Sequence, residues 1–299
     1  MPSVDRDHWR RATAVAVATL VASGCAHLPP KSPLPAVGTF LDASGHVIDD
    51  ATVRGRIGAA RFVLVGEAHD NACDHAQERR IAEIATGAGP LAIGLEMVTY
   101  DRQPILDDYG AGRTCLAGLA SALDWKAMWG FPFDSYSPIF EVARSSRSPV
   151  IGLNASERIV HTVRDIGLNA LTSSERMEIT PTIIRPPHQQ EAMLKQAMDE
   201  HRKSGHSSGD ADAAWSRFIT VQSFWDTQMA WRAARAAQSL DRRVLIFAGG
   251  GHVEHGWGIA WRLRSFAPGA RVLALTAWRG GDFDPSEADL FFYCPDTSP

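Results

Sequence analysis

Cysteine and tyrosine are scarce in this sequence, four of each among 299 residues. Cys25, Cys73, Cys115 and Cys294 match no zinc-ligand spacing, which excludes a zinc finger or ribbon. Basic residues do not outnumber acidic ones, 30 against 34 for a formal net charge of -4, so nucleic acid is not an expected partner. The apolar stretch Ala12 to Val21 is too short to span a bilayer, and no other stretch is long enough. No Gly-x-Ser-x-Gly motif occurs, which argues against a covalent serine mechanism. Internal repeats and low-complexity tracts are likewise missing.

The first 36 residues read as an address and a tether. Arg6, His8, Arg10 and Arg11 form a basic start, the short apolar stretch follows, and Ala22-Ser23-Gly24-Cys25 closes it. This resembles a lipoprotein signal, with residues 1 to 24 removed and Cys25 acylated, although Ala22 stands where Leu or Val is usual. Residues 25 to 36, with Pro29, Pro30, Pro33 and Pro35, are expected to form a stiff, extended tether. Cleavage would remove three arginines and two aspartates and shift the net charge from -4 to -5. An envelope location would place Cys73, Cys115 and Cys294 in an oxidising compartment, where at most one intramolecular disulfide can form among them.

Residues 37 to 299 have the size and apolar content for an α/β domain. A short hairpin is expected over Phe40 to Ile48, turning at Ser44-Gly45. Strands are expected at Arg61 to Val65, Leu91 to Leu95, Val150 to Leu153, Arg243 to Phe247, Arg271 to Leu275 and Asp289 to Tyr293. Helical patterns fill most intervals: Asp74 to Thr86, Ser137 to Ser145, Ser156 to Asp165 and Ile259 to Phe266. Short apolar runs without alternation fit strands covered on both faces, so the expected fold is a mostly parallel central sheet flanked by helices. The long connection from Thr172 to Leu240, before the fourth main strand, reads as a helical insertion with two candidate helices separated by the polar segment Lys203 to Asp212.

Two of these apolar runs stop in the same way, at Gly66-Glu67-Ala68-His69 and at Gly249-Gly250-Gly251-His252. In a parallel α/β sheet the carboxyl end of a strand is where ligands sit, and glycine lets a backbone or ligand approach closely. The second strand adds Glu96 and the third Asn154, which with Ser156 reads more simply as a helix cap. Glu67, Glu96 and His252 together point to a site, because ionisable groups after apolar runs are costly to bury unless they pair or bind something. In the helix approaching Leu240, Trp215, Phe218, Gln222, Trp225, Asp226 and Met229 share one face, so Asp226 requires a partner inside the fold.

The pattern Gly66-Glu67-x-His69-Asp70-Asn71, Gly94-Leu95-Glu96-Met97, Tyr136-Ser-Pro138-Ile139, Phe224-Trp225-Asp226-x-x-Met229-Ala230 and Gly249-x-Gly251-His252-Val253 resembles the ChaN-type haem-binding lipoproteins. These belong to the wider superfamily of TIKI, TraB and erythromycin-esterase-like proteins. The chain departs from the pattern after the first motif, where Ala72, Cys73, Asp74 and a single His75 replace a proline and a histidine pair.

The resemblance implies a haem-binding protein of iron uptake, anchored in the cell envelope on the outer membrane facing the periplasm, with an outer-membrane receptor as a possible partner. It also implies haem held at a homodimer interface by a tyrosinate, with histidines close by. Tyrosinate is a hard anionic donor suited to ferric haem that must be passed on. Tyr136 is the first candidate, because it follows the aromatic segment Trp125, Trp129, Phe131 and Phe133; Tyr100 is the second, with His69 and His252 nearby. The competing expectation is a hydrolase in which Glu67, His69, Glu96 and His252 hold a divalent metal ion or act as a His/Glu base.

Overall fold

The computed structural model describes residues 33–203 and 210–296. The expected acylation site, Cys25, and most of the Pro-rich tether lie outside these residues. Among the described residues no helix is long and apolar enough to cross a membrane.

Residues 35 onward fold as one unit. Eight strands form one sheet: β1 Phe40–Asp42, β2 Val47–Ile48, β3 Phe62–Glu67, β4 Leu91–Thr99, β5 Val150–Asn154, β6 Arg243–Gly249, β7 Val272–Trp278 and β8 Leu290–Tyr293, in the order β2-β1-β8-β7-β3-β6-β4-β5. The six strands from β8 to β5 run parallel, while β1 pairs antiparallel with both β2 and β8. Each strand falls on an apolar run expected from the sequence, and β1–β2 is the expected hairpin. The helices are α1 Asp50–Ala59, α2 Ala72–Thr86, α3 Gln103–Gly110, α4 Leu116–Leu123, α5 Trp125–Met128, α6 Phe133–Ser145, α7 Glu157–Asp165, α8 Ser173–Glu178, α9 His188–Lys203, α10 Ala211–Leu240, α11 Gly250–Val253 and α12 Ile259–Phe266.

The strands are apolar on both faces because both faces are covered. On β3, Val63 and Val65 join a core with α1, α2 and α6, whereas Phe62 and Leu64 meet Met229, Ala230, Ala233, Ile259 and Leu263 from α10 and α12. Each fully buried Val, Leu, Ile, Phe or Met among them contributes roughly 1.5–3 kcal/mol. The 30-residue α10 begins at Asp210, whose carboxylate accepts from the N–H groups of Asp212 and Ala213, and its alanine-rich second half lies on the sheet. A third cluster, with Ile159, Val163, Leu171, Val221 and Phe224, fastens its first half to α7 and to the segments flanking α8.

This strand order determines where a ligand can sit. From β3 the chain goes to β4 on one side through α2, and from β6 it returns past β3 to β7 through α12 on the opposite face. The β3/β6 pair is therefore a topological switch point, which leaves a crevice beyond the carboxyl ends of these two strands. Glu67 ends β3 directly beside Gly249 at the end of β6.

The Cys73 and Cys294 sulfurs form a disulfide tying the start of α2 to the end of β8, and Cys115 is free and exposed.

Candidate functional site

The crevice is closed by two clusters that meet at Gly249. A side chain there would crowd the site, because a Cβ would lie 3.0 Å from Cε1 and Nε2 of His69. The Gly249 N–H donates to Glu96 Oε2 at 2.7 Å, and Glu96 Oε1 lies 3.4 Å from His252 Nε2. On the other side of its ring, His252 donates from Nδ1 to Asp226 Oδ1 at 2.6 Å. The second Asp226 oxygen accepts from Gln190 Nε2 at 3.1 Å and lies 3.1 Å from the fully buried Arg262 guanidinium. Burial opposes charge on His252, but the Glu96 and Asp226 carboxylates outweigh it and raise its pKa well above the ordinary imidazole value. Burial likewise opposes ionised Glu96, and the positive His252 facing it lowers its pKa all the same. Asp226, His252 and Glu96 thus form an alternating charged chain leading from the buried Arg262 to the crevice.

The second cluster lies under the start of α2. Asn71 caps this helix by accepting from the N–H groups of Cys73 and Asp74, which turns His75 and Glu78, three residues apart, inward. Glu67 Oε1 accepts from His69 Nδ1 at 2.8 Å and from the Tyr136 hydroxyl at 3.0 Å. His75 Nδ1 lies 3.1 Å from Glu67 Oε2 and 2.9 Å from Glu78 Oε2, while its Nε2–H donates to the His69 carbonyl at 3.1 Å. Burial works against charge on His75, yet the Glu67 and Glu78 carboxylates facing it raise its pKa to about 10. Glu67 feels the same burial, but the His69 hydrogen bond and the His75 imidazole beside it hold its pKa down to about 2. Burial, followed by the neighbouring Glu67 charge, drives the Glu78 pKa well up.

The expected site residues are thus partly brought together. Glu67 with His69 and Glu96 with His252 are two adjoining pairs, one at the end of β3 and one between β4 and β6. Among the described residues, the triads whose ligand atoms all come within 4.8 Å of one another are Glu67, His75 and Glu78, and, at the surface, His255, Asp284 and Glu287. Tyr136 is 1% exposed, edge-on to His75 and beside Trp125 and Trp129, and burial together with the Glu67 charge pushes its phenol further from ionisation. Tyr109 is equally buried, donating to the Phe140 carbonyl, and Tyr293 is 6% exposed. Tyr100 is half-buried in a turn after β4, with the Arg232 guanidinium 3.1 Å above its ring. Sequence reasoning missed Glu78 and gave His75 no role; the available signal was their three-residue spacing just after the first motif.

A cavity of about 560 Å³ opens beside Glu96, between the ends of β4 and β5, α5, α7 and α10. Met97, Met128, Trp129, Val160, Val221 and Trp225 give it apolar walls, and Arg102, His161 and Arg164 also line it. Thr99 and Asp101, on either side of Tyr100 in sequence, belong to the lining.

The family described as haem-binding uptake, Tiki superfamily, ChaN matches residues 53–263. No curated protein matches the chain. Among solved structures, ChaN of Campylobacter jejuni, described with cofacially bound haem, superposes with a TM-score of 0.70 at 19% identity, over 88% of this chain and 100% of that one. At that identity the likeness shows a shared fold. The erythromycin esterase EreC in its open conformation gives a TM-score of 0.47 at 13% identity, over 80% of this chain and 76% of its own. A Bacillus cereus protein gives 0.44 at 14% identity, over 83% and 74%.

Proposed function

The chain belongs to the ChaN family of haem-binding uptake proteins in the Tiki superfamily, and from that premise we propose that it binds ferric haem and passes it on during iron uptake. The observation that carries this reading is the cavity beside Glu96. Haem is a flat apolar ring with two carboxylates on one edge, and the cavity pairs apolar walls that include Trp129 and Trp225 with Arg102 and Arg164. In this reading the two guanidiniums take the propionates, bidentate donors being suited to carboxylates.

Tyrosinate ligation is assigned to Tyr100 and not to Tyr136. The Tyr136 hydroxyl is committed to Glu67 inside the core. Tyr100 is flanked in sequence by the lining residues Thr99 and Asp101, and itself lines a neighbouring cavity with Gln103 and Arg232. His161 is the second candidate ligand, because it lines the cavity itself. Titration of the purified protein with ferric haem, followed by the Soret band, tests this: saturable binding is expected, weakened in Arg102→Glu and Arg164→Glu. A linear, unsaturated titration refutes it. Loss of a tyrosinate-type spectrum in Tyr100→Phe assigns the ligand, and loss in His161→Ala alone assigns it to the histidine.

The proposed setting is the bacterial envelope, with the protein anchored through acylated Cys25 on the outer membrane, facing the periplasm, and served by an outer-membrane haem or iron receptor. The Cys73–Cys294 disulfide supports an oxidising compartment. Cys25→Ser should move the protein from the membrane to the soluble fraction. A haem-bound homodimer would appear as a haem-dependent shift in sedimentation.

One observation favours a second reading, hydrolysis by Glu67, His69, Glu96 and His252: Glu96 lines the cavity and is backed by His252 and Asp226. Turnover of model esters or peptides, abolished by Glu96→Gln, would establish it.

A further inference from the structure

Three features at the end of β3 remain unused by haem binding. Both Glu67 and Glu78 are buried, with side chains shielded from solvent, and each has one carboxylate oxygen that accepts no hydrogen bond, Oε2 of Glu67 and Oε1 of Glu78. His75 presents Nδ1 to both carboxylates, and its Nε2–H is already given to the His69 carbonyl. Glu67 is held from behind, since Oε1 takes the His69 Nδ1 and Tyr136 hydroxyl bonds, leaving Oε2 to face the cluster. Buried carboxylate oxygens without donors are costly, and here they belong to the two carboxylates that share one imidazole nitrogen, a donor set short of a cation.

We propose that Glu67 Oε2, His75 Nδ1 and Glu78 together bind one divalent first-row transition cation, such as Zn²⁺ or Mn²⁺, at a site distinct from the Glu96–His252 pair and from the haem cavity. The ligand atoms lie within 4.8 Å of one another. Ligands about 2.0–2.2 Å from such an ion stand roughly 3–4 Å apart, so only small side-chain shifts are needed. One imidazole and two carboxylates form a mixed nitrogen and oxygen set suited to these ions, not to Ca²⁺ or Mg²⁺. The outer contacts have the form expected around a metal: the second histidine nitrogen bonded to a backbone carbonyl, and the back of one carboxylate held by a phenol and an imidazole. A dication with two carboxylates and a neutral imidazole is also electrically balanced, so loading buries no net charge. Entry of the ion requires a neutral His75 and both carboxyls ionised, so the protons held by His75 Nδ1 and Glu78 leave and uptake is coupled to proton release.

The test uses the full protein, stripped with chelator and titrated with ZnCl₂ and MnCl₂ by calorimetry and thermal unfolding. One ion per chain with a rise in Tm is expected. Glu78→Gln, which retains a hydrogen-bonding side chain of the same shape, should weaken binding at least about tenfold. Glu96→Gln should leave it unchanged. X-ray absorption of the loaded protein should show a nitrogen and oxygen shell containing one imidazole. No uptake by the wild-type protein overturns the proposal without recourse to any variant. So does a two-imidazole shell, or binding lost in Glu96→Gln and kept in Glu78→Gln, which would shift the ion to His69 and His252.

Discussion

Asp226→Asn tests the buried charge chain most directly. Asp226 is fully buried and its two oxygens serve His252, Gln190 and Arg262. Asparagine keeps the shape and removes the negative charge, leaving the Arg262 guanidinium in the core without its carboxylate. Arg262 cannot withdraw, because its NH1 is also bonded to Gln190 Oε1 and to the carbonyls of Trp257 and Gly258. Removing one partner of a buried ion pair costs roughly 3–5 kcal/mol. His252 can relieve part of this by giving up its proton, which places the expected loss near the lower figure, a large share of the roughly 5–15 kcal/mol typical of a folded protein. Urea unfolding at pH 7, followed by circular dichroism, should show the midpoint falling with little change in slope. Arg262→Met removes the stranded cation, so the double variant should lose clearly less than the sum of the single losses. A loss below about 1 kcal/mol for Asp226→Asn, or strict additivity in the double variant, would refute the reasoning.

Stability should peak at mildly acidic pH as far as the Glu96–His252 pair governs it. Glu96 is lowered from 4.5, so its contribution is present above that value and lost as pH falls through the folded pKa; His252 is raised from 6.5, so its contribution is complete below that value and lost as pH rises through the folded pKa. His252→Gln should flatten the alkaline decline in unfolding midpoints, and an unaltered slope would count against the pairing. Reduction of Cys73–Cys294, which closes a loop of 221 residues, should cost roughly 2–5 kcal/mol, read as the drop in urea midpoint with reductant. Tyr136→Phe removes one hydrogen bond to an ionised acceptor and should cost roughly 1.5–3 kcal/mol while leaving the ferric-haem spectrum unmoved; a changed spectrum would return the ligand role to Tyr136.

Much of the sheet is legible in the sequence because buried parallel strands leave uninterrupted apolar runs. Leu91 to Leu95, Val150 to Leu153 and Arg243 to Phe247 each mark a strand, and the structure extends them by one to four residues at the carboxyl end. Those added residues are the informative part. Glu96 lies inside β4, beyond the point where the apolar run stops, and the register of β4 on β5 shifts between Leu95 and Thr99. Gly152 permits this, since a Cβ there would lie 2.8 Å from the Thr99 carbonyl oxygen. A polar residue in a strand interior reads as a strand end when only its own segment is considered.

The same locality explains what could be inferred about each buried polar group. Asp226 was legible as needing a partner, because it shares a helix face with Phe224, Trp225 and Met229, but nothing in its own segment names His252. On α2 the inward face carries Asp74, His75, Gln77 and Glu78, so hydrophobic periodicity understates its burial. Two of them meet partners from afar: Asp74 the Arg279 guanidinium at 2.6–2.7 Å, and His75 the Glu67 carboxylate from β3. Helix α2 can carry such a face because it leaves the sheet at the switch point, where strand ends supply charged groups to one side and α12 departs on the other. The crossing that makes the crevice therefore also concentrates ionisable residues there, and it does so through neighbours about 180 residues apart in sequence, Glu67 and Gly249. Pairing across that distance is a property of strand order, which is why the residue types at the two Gly-x-x-His turns could be read from the sequence while their division into two clusters could not.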